Sequence, residues 1–114
     1  MVTKTDQIFY KIMDILKSNF KIDKKSLIEF AEISGDWNPI HYDKEFSRRY
    51  KTEKPIIHGV LTLIEVLNIF LKDNLLFISS IKCNFLKPVY PDYNYQLYFE
   101  SIEKNSKNFY LFDK

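Results

Sequence analysis

The sequence has very few of the residues on which several classes of protein depend. Its 114 residues include one cysteine, Cys83, and two histidines. A single cysteine excludes an internal disulfide framework and a cysteine-rich metal site, and two histidines leave little room for a multi-histidine centre, so we expect no metal site. Glycine occurs only twice, against ten phenylalanines and eight tyrosines, and this balance favours β-structure.

The chain also lacks a dominant charge and a long apolar run. Seventeen basic and fifteen acidic residues leave a formal net charge of +2, which is too balanced to indicate binding to nucleic acid or to a membrane surface. The most apolar stretch, residues 55–71, contains His58, Glu65 and Asn68 and is shorter than the about 20 apolar residues of a spanning helix. The start does not have the basic-then-apolar order of a signal peptide. We expect no nucleic-acid partner, no membrane partner and, by default, a cytoplasmic location.

The sequence does contain enough apolar material for one core. Hydrophobic residues make up 46% of the chain, which excludes disorder, and its length fits a single domain over residues 1–114. Apolar spacing predicts four helices. They cover residues 6–18, residues 24–34 between a capping Asp23 and a terminating Gly35, residues 44–50 after a capping Asp43, and residues 60–72.

After Asn74 the period changes from helical to alternating. Alternating side chains predict strands over residues 81–85, 93–100 and 109–112, and residues 19–22 are interpreted as a further short strand. Helices followed by an antiparallel meander indicate an α+β domain, with the sheet curled around the helix at residues 60–72.

Two short segments carry the residues that could perform chemistry. Asp36 and His41 lie five residues apart on a loop stiffened by Pro39, so their side chains could converge on one water molecule. Gly59 follows His58 at the start of the apolar helix, where the first amides lack internal partners and the helix dipole is positive. An acid/base pair and an oxyanion donor suffice to add water to an activated double bond. On spacing alone, a structural loop with a partly buried histidine stays an open alternative.

Three segments together resemble one enzyme family. Residues 30–43 (FAEISGDWNPIHYD), 55–61 (PIIHGVL) and 85–91 (FLKPVYP) are similar, in that order, to the hydratase motif and later blocks of the MaoC-like, R-specific enoyl-CoA hydratases. The resemblance implies a hotdog fold, in which an antiparallel sheet wraps around one long central helix. It also implies a homodimer or higher oligomer, with sites near the subunit boundary.

The resemblance further implies a reaction and roles for four residues. Asp36 and His41 would hold the catalytic water, and the Gly59 amide would bind the thioester oxygen. Asn38 would brace the loop at the substrate site. The reaction would interconvert trans-2-enoyl and (R)-3-hydroxyacyl thioesters without a cofactor, the acyl group being carried on coenzyme A or on the phosphopantetheine of an acyl carrier protein. A non-catalytic hotdog subunit that binds a thioester or a partner hotdog protein, and a hotdog thioesterase, are the alternatives.

The sequence departs from the family pattern in two places that matter here. Leu67 occupies the position at which related enzymes can place a serine, eight residues after the glycine. The family's fold has at least five strands, whereas the alternating pattern gives four. We therefore expect a domain truncated at the C-terminus that lacks its last strand, or one that draws a strand from residues 6–22.

Three other features have two interpretations each. His58 is predicted to be a packed histidine rather than a functional one. The cations at positions 48, 49, 51 and 54 could meet the phosphates of a carrier, although a solvated surface is the simpler interpretation. Cys83 is interpreted as a small core residue rather than a nucleophile.

Overall fold

The computed structural model describes residues 15–72 and 76–113. In chain order they form β1 (Ile15–Phe20), α1 (Lys24–Ser34), a 3₁₀ turn (Pro39–His41), α2 (Lys44–Arg48), α3 (Gly59–Leu71), β2 (Tyr95–Glu103) and β3 (Ser106–Asp113). The chain divides into two units. One contains the strands, from the segment that ends at Phe20 and the segment that begins at Asn94, and the other is Lys21–Tyr93.

In the second unit, α1 begins and ends where the sequence predicts, α3 lies one residue earlier than predicted, and α2 ends at Arg48 rather than at the predicted residue 50. The Asp23 side chain accepts a hydrogen bond from the Ser26 N–H at 2.7 Å, which caps α1. Gly35 ends the helix in the left-handed conformation, with φ of 76°, and its N–H donates to the Ala31 carbonyl. Asp43 caps α2 in the same way, by accepting from the Glu45 and Phe46 amides.

The strand unit is a three-stranded antiparallel sheet in the order β1-β2-β3. Leu97 of the central strand faces Ser18 on one side and Leu111 on the other. Tyr95, Leu97 and Phe99 alternate along β2 and are buried, which is the pattern of a strand with one core face. The buried Gln96 donates from its side-chain amide to Asn19 Oδ1 at 2.7 Å, which links β1 and β2 at two paired positions.

The prediction of a helix over residues 6–18 is wrong for residues 15–18, because these residues belong to β1. The apolar spacing of this short segment is compatible with either structure, and pairing with β2 decides between them. The remainder of that predicted helix, residues 6–14, lies outside the described residues. The strand predicted at residues 19–22 is correct only for its first two residues.

The prediction of a strand over residues 81–85 is also wrong. They alternate as a strand does, but within the described part of the chain they have no ladder partner and form no strand. Alternation reports where side chains point, whereas a strand also needs a neighbour for its backbone hydrogen bonds. The two later strands are present, and both are longer than predicted. No helix among the described residues is long and apolar enough to cross a membrane.

Candidate active site

The loop between α1 and α2 is shaped by polar side chains that bind the backbone close by. The Asp36 N–H donates to Ser34 Oγ at 3.1 Å, and the Asn38 N–H donates to Asp36 Oδ1 at 3.2 Å. The Asn38 side chain in turn accepts from the Ile40 N–H at 3.1 Å and caps the 3₁₀ turn. These turns are the local structures that Asp and Asn favour. Of the Asp36 carboxylate, only Oδ1 takes part in these turns, and Oδ2 accepts none of their hydrogen bonds.

His41 is held by the backbone of Ile56, fifteen residues further along the chain. Its Nδ1 lies 2.8 Å from the Ile56 carbonyl oxygen, and the Ile56 N–H donates to the Ile40 carbonyl at 3.1 Å. Because a carbonyl can only accept, we assign the proton of the neutral ring to Nδ1. This assignment leaves the lone pair on Nε2.

Asp36 and His41 converge, as the sequence pattern predicts. His41 Nε2 lies 3.9 Å from Asp36 Oδ2, and the side chains are 11% and 51% exposed, respectively. This separation is too long for a direct hydrogen bond. It is short enough for one water molecule to hydrogen-bond to both atoms at once. The pair therefore offers a solvent-accessible place for a water molecule that bonds to a carboxylate oxygen and to an imidazole lone pair.

The surroundings of His41 favour its uncharged form. Burial is the largest cause, and it lowers the pKa of His41 below the ordinary value of 6.5. The hydrogen bond to Ile56 and the Asp36 charge act in the opposite direction, whereas the neighbouring His58 lowers the pKa further. An imidazole that is uncharged at neutral pH can accept a proton at Nε2.

His58 is buried, as expected of a packed histidine, but it also contacts both members of the pair. It is 2% exposed, and its Nε2 lies 3.1 Å from the Asp36 carbonyl oxygen. Its ring stacks on the His41 ring with centroids 3.7 Å apart, and the Phe30 ring meets it edge-on with centroids 4.9 Å apart. Reasoning from sequence missed these contacts. The one available signal was a histidine directly before the glycine at a helix start.

Gly59 is the first residue of α3, so its N–H has no partner within the helix. Within the described residues this N–H also finds no other acceptor. A Cβ placed on Gly59 would lie 3.1–3.3 Å from atoms of the Phe85 ring, which explains why a glycine fits this position. The amide that the sequence pattern singles out is thus an available donor beside an aromatic ring.

One atom each from Asp36, His41 and His58 lie within 4.8 Å of one another, a grouping that could suggest a metal site. The stacking of the two imidazoles argues against this interpretation. Zinc needs nitrogen ligands at about 2.0–2.1 Å along the lone pair in the ring plane. Two rings stacked 3.7 Å apart and tilted by 26° cannot both direct a lone pair at one ion. The arrangement fits acid/base chemistry better than metal binding.

Two of the four cations at positions 48, 49, 51 and 54 are already engaged. Arg48 pairs with Glu45 at 3.0 Å, and Lys54 Nζ lies 2.7 Å from the Tyr93 hydroxyl and 4.9 Å from the centre of the Tyr90 ring. The hydrogen bond with Tyr93 raises the pKa of Lys54. These contacts leave Arg49 and Lys51 as the better candidates for meeting a phosphate.

Comparison with known proteins identifies the family. The family described as MaoC like domain matches residues 13–109. The chain belongs to this family. It is 41% identical over 75 residues to the mouse (Mus musculus) peroxisomal multifunctional enzyme type 2, a match that covers 60% of this chain and 10% of that protein. It is 35% identical over 51 residues to the mitochondrial 3-hydroxyacyl-(acyl-carrier-protein) dehydratase of Arabidopsis thaliana, covering 45% of this chain and 31% of that protein.

The MaoC-like chain also resembles solved structures in its fold. The (R)-hydratase from A. caviae involved in PHA biosynthesis superposes with a TM-score of 0.61 at 22% identity, over 85% of this chain and 82% of that one. Such neighbours confirm the predicted hotdog fold. The matches to the two curated relatives span less than a third of either protein's length.

Proposed function

We propose that this MaoC-like chain is a hydratase/dehydratase that interconverts trans-2-enoyl and (R)-3-hydroxyacyl thioesters. The observation that carries the proposal is the 3.9 Å gap between Asp36 Oδ2 and an unprotonated His41 Nε2. A water molecule beside this pair can donate one hydrogen bond to each of the two atoms. The relatives support the same class of reaction, because they include a dehydratase of 3-hydroxyacyl groups and an (R)-hydratase.

In the hydration direction, the pair removes a proton from the bound water as its oxygen bonds to C3 of the enoyl group. The π electrons of the C2–C3 bond move toward the thioester carbonyl, and the resulting negative charge on its oxygen is stabilised by the Gly59 N–H. The proton held by the pair is then delivered to C2. Dehydration follows the same steps in reverse.

Asn38 contributes by holding the loop rather than by touching the reacting atoms. Its side chain caps the turn that carries His41. Its N–H donates to Oδ1 of the Asp36 carboxylate, the oxygen that does not face His41. The substrate is carried on coenzyme A or on the phosphopantetheine of an acyl carrier protein. Arg49 and Lys51 are the cations available to meet phosphate groups of either carrier.

The test follows the conjugated absorbance of a short trans-2-enoyl thioester, offered on coenzyme A and on an acyl carrier protein. Asp36→Asn and His41→Ala are each expected to lower kcat/KM by about 10²–10⁴-fold, the usual contribution of a positioned acid/base group. Asp43→Asn is the matched control, because it removes one carboxylate charge but keeps the oxygen that caps α2. If the wild type and both site variants are equally inert on both carriers, the proposal is wrong. Release of free thiol without loss of the double bond would instead indicate a thioesterase.

A further inference from the structure

His58 has a hydrogen-bonding pattern that its place in the fold does not require. It is the residue before α3 and occupies the capping position, yet its side chain makes no capping hydrogen bond to the helix. Ring nitrogen Nε2 instead lies 3.1 Å from the backbone carbonyl of Asp36, 22 residues earlier in the chain. Because that carbonyl accepts, Nε2 is the donor.

The second nitrogen of the same ring is without a partner. His58 Nδ1 is buried and has no hydrogen-bond partner within the described residues. Leaving a buried polar atom unsatisfied is unfavourable, and such atoms are uncommon in folded proteins. A phenylalanine or leucine at this position would fill space without that cost. Packing alone therefore does not explain a histidine here.

The contacts of the ring connect the two halves of the water-binding pair. Its Nε2–H holds the main chain of Asp36, while its face stacks on His41 at a centroid distance of 3.7 Å. The Phe30 ring supports the His58 ring from α1, so the imidazole has little freedom to turn. The 3.9 Å separation, which lets one water molecule bond to both atoms, depends on both partners staying in place.

We propose that His58 is a positioning residue that fixes Asp36 relative to His41, by one hydrogen bond to the Asp36 carbonyl and one stacking contact with the His41 ring. This inference rests on the proposed hydratase/dehydratase function for its kinetic consequence, but its structural consequence stands independently of it. His58 does not touch the reacting atoms. It acts through the placement of the two residues that do.

Two substitutions separate the hydrogen bond from the ring. His58→Phe keeps an aromatic ring against His41 and removes the donor. His58→Gln removes the ring but retains an Nε2 donor at a similar distance from the backbone. Thr62→Val is the matched control: Thr62 is buried in α3, and its hydroxyl donates to the His58 carbonyl, so its loss perturbs the same helix start without touching the pair.

The kinetic measurement is kcat and KM for a trans-2-enoyl thioester, with the melting temperature of each variant recorded. His58→Phe is expected to lower kcat by about 10²-fold, the scale of a small misplacement of a catalytic group, with KM near the wild-type value. His58→Gln is expected to recover at least about a tenth of the wild-type kcat. Thr62→Val keeps the wild-type kcat. A purely structural role predicts instead that kcat follows the melting temperature in all three variants, and that result would overturn the inference.

Crystal structures of the wild type and of His58→Phe test the inference apart from activity. We expect the separation between Asp36 Oδ2 and His41 Nε2 to widen in the Phe variant and to be retained in His58→Gln. An unchanged separation in the Phe variant contradicts the positioning role, even in a fully active enzyme. A widened separation in a protein that never hydrates an enoyl thioester supports the positioning role and rejects the proposed function.

Discussion

At the scale of single residues, the burial of His41 predicts how the rate of hydration depends on pH. Burial lowers its pKa below 6.5, and the uncharged ring is the form that accepts a proton from water. We therefore expect the acidic limb of the kcat/KM profile for hydration to have its midpoint below pH 6.5. A midpoint at or above 6.5 contradicts the assignment of His41 as the uncharged base.

The same lowered pKa has a consequence for folding that can be checked without substrate. Between the folded and unfolded pKa values the unfolded chain binds more protons at this position, so the stability contributed by the uncharged ring is lost as the pH falls through 6.5. His41→Ala removes that contribution. Its free energy of unfolding should consequently decline less steeply than that of the wild type as the pH falls below 6.5, as measured by denaturant titration.

The sequence alone predicts that Asp36 and His41 converge, but it does not predict which residues orient them. The two lie five residues apart on one short loop, so local turns at Asp36 and Asn38 bring them together. Ile56 and His58 act from 15 and 22 residues away. No local pattern specifies which carbonyl meets which imidazole nitrogen, because that depends on how the loop packs against the segment before α3.

The secondary-structure elements also differ in how far the sequence alone predicts them. The starts of α1 and α2 were predictable because Asp23 and Asp43 cap their own helices within three residues. The strands were not equally predictable. Ile15–Phe20 becomes a strand because β2 lies beside it, and residues 81–85 alternate without gaining a described partner. Helix ends follow from local chemistry, whereas strands depend on distant partners.

A substitution of Gly59, at the start of α3, distinguishes its role in packing from its role in catalysis. Gly59→Ala keeps the amide donor and adds a methyl group 3.1–3.3 Å from the Phe85 ring, which is more than half exposed and can move. We expect stability to change by no more than about 1 kcal/mol, since glycine and alanine differ by only about that amount even in a helix interior. We expect kcat/KM to fall by about 10–10²-fold, because the methyl group and the displaced ring crowd the space in front of the amide.

The double variant Gly59→Ala, Phe85→Leu distinguishes the two causes of that loss. Leucine in place of the ring relieves the crowding at position 85 but leaves the methyl group beside the amide. We expect the double variant to stay impaired in the absorbance assay. Full recovery of kcat/KM would mean that Gly59 matters only for packing against Phe85.

At the scale of the whole molecule, the candidate site lies within one unit of the chain. Asp36, His41, His58 and Gly59 all belong to Lys21–Tyr93, whereas the paired strands form the other unit. The second unit also presents apolar side chains to solvent, including Phe77 and Leu86, which are 93% and 90% exposed. Exposed apolar side chains that form a contiguous patch are typical of surfaces that associate.

We accordingly expect a homodimer or higher oligomer, with a mass in light scattering of at least twice the 13.7 kDa of the chain. Leu86→Lys should shift the population toward the monomer at micromolar concentration. Asn84→Lys is the matched control, because it adds the same charge at an exposed polar position nearby. A wild type that stays monomeric, or equal effects of the two substitutions, contradicts this use of the apolar surface.

The central claim is that the Asp36–His41 pair adds one water molecule across the double bond of an enoyl thioester. The most direct measurement is the product formed from a trans-2-enoyl thioester in D₂O, analysed by mass spectrometry and chiral chromatography. We expect the wild type to form a 3-hydroxyacyl thioester of (R) configuration with one deuterium at C2, and Asp36→Asn to lose this activity. An (S) product, a free thiol with the double bond intact, or the same product from Asp36→Asn at the wild-type rate would contradict it.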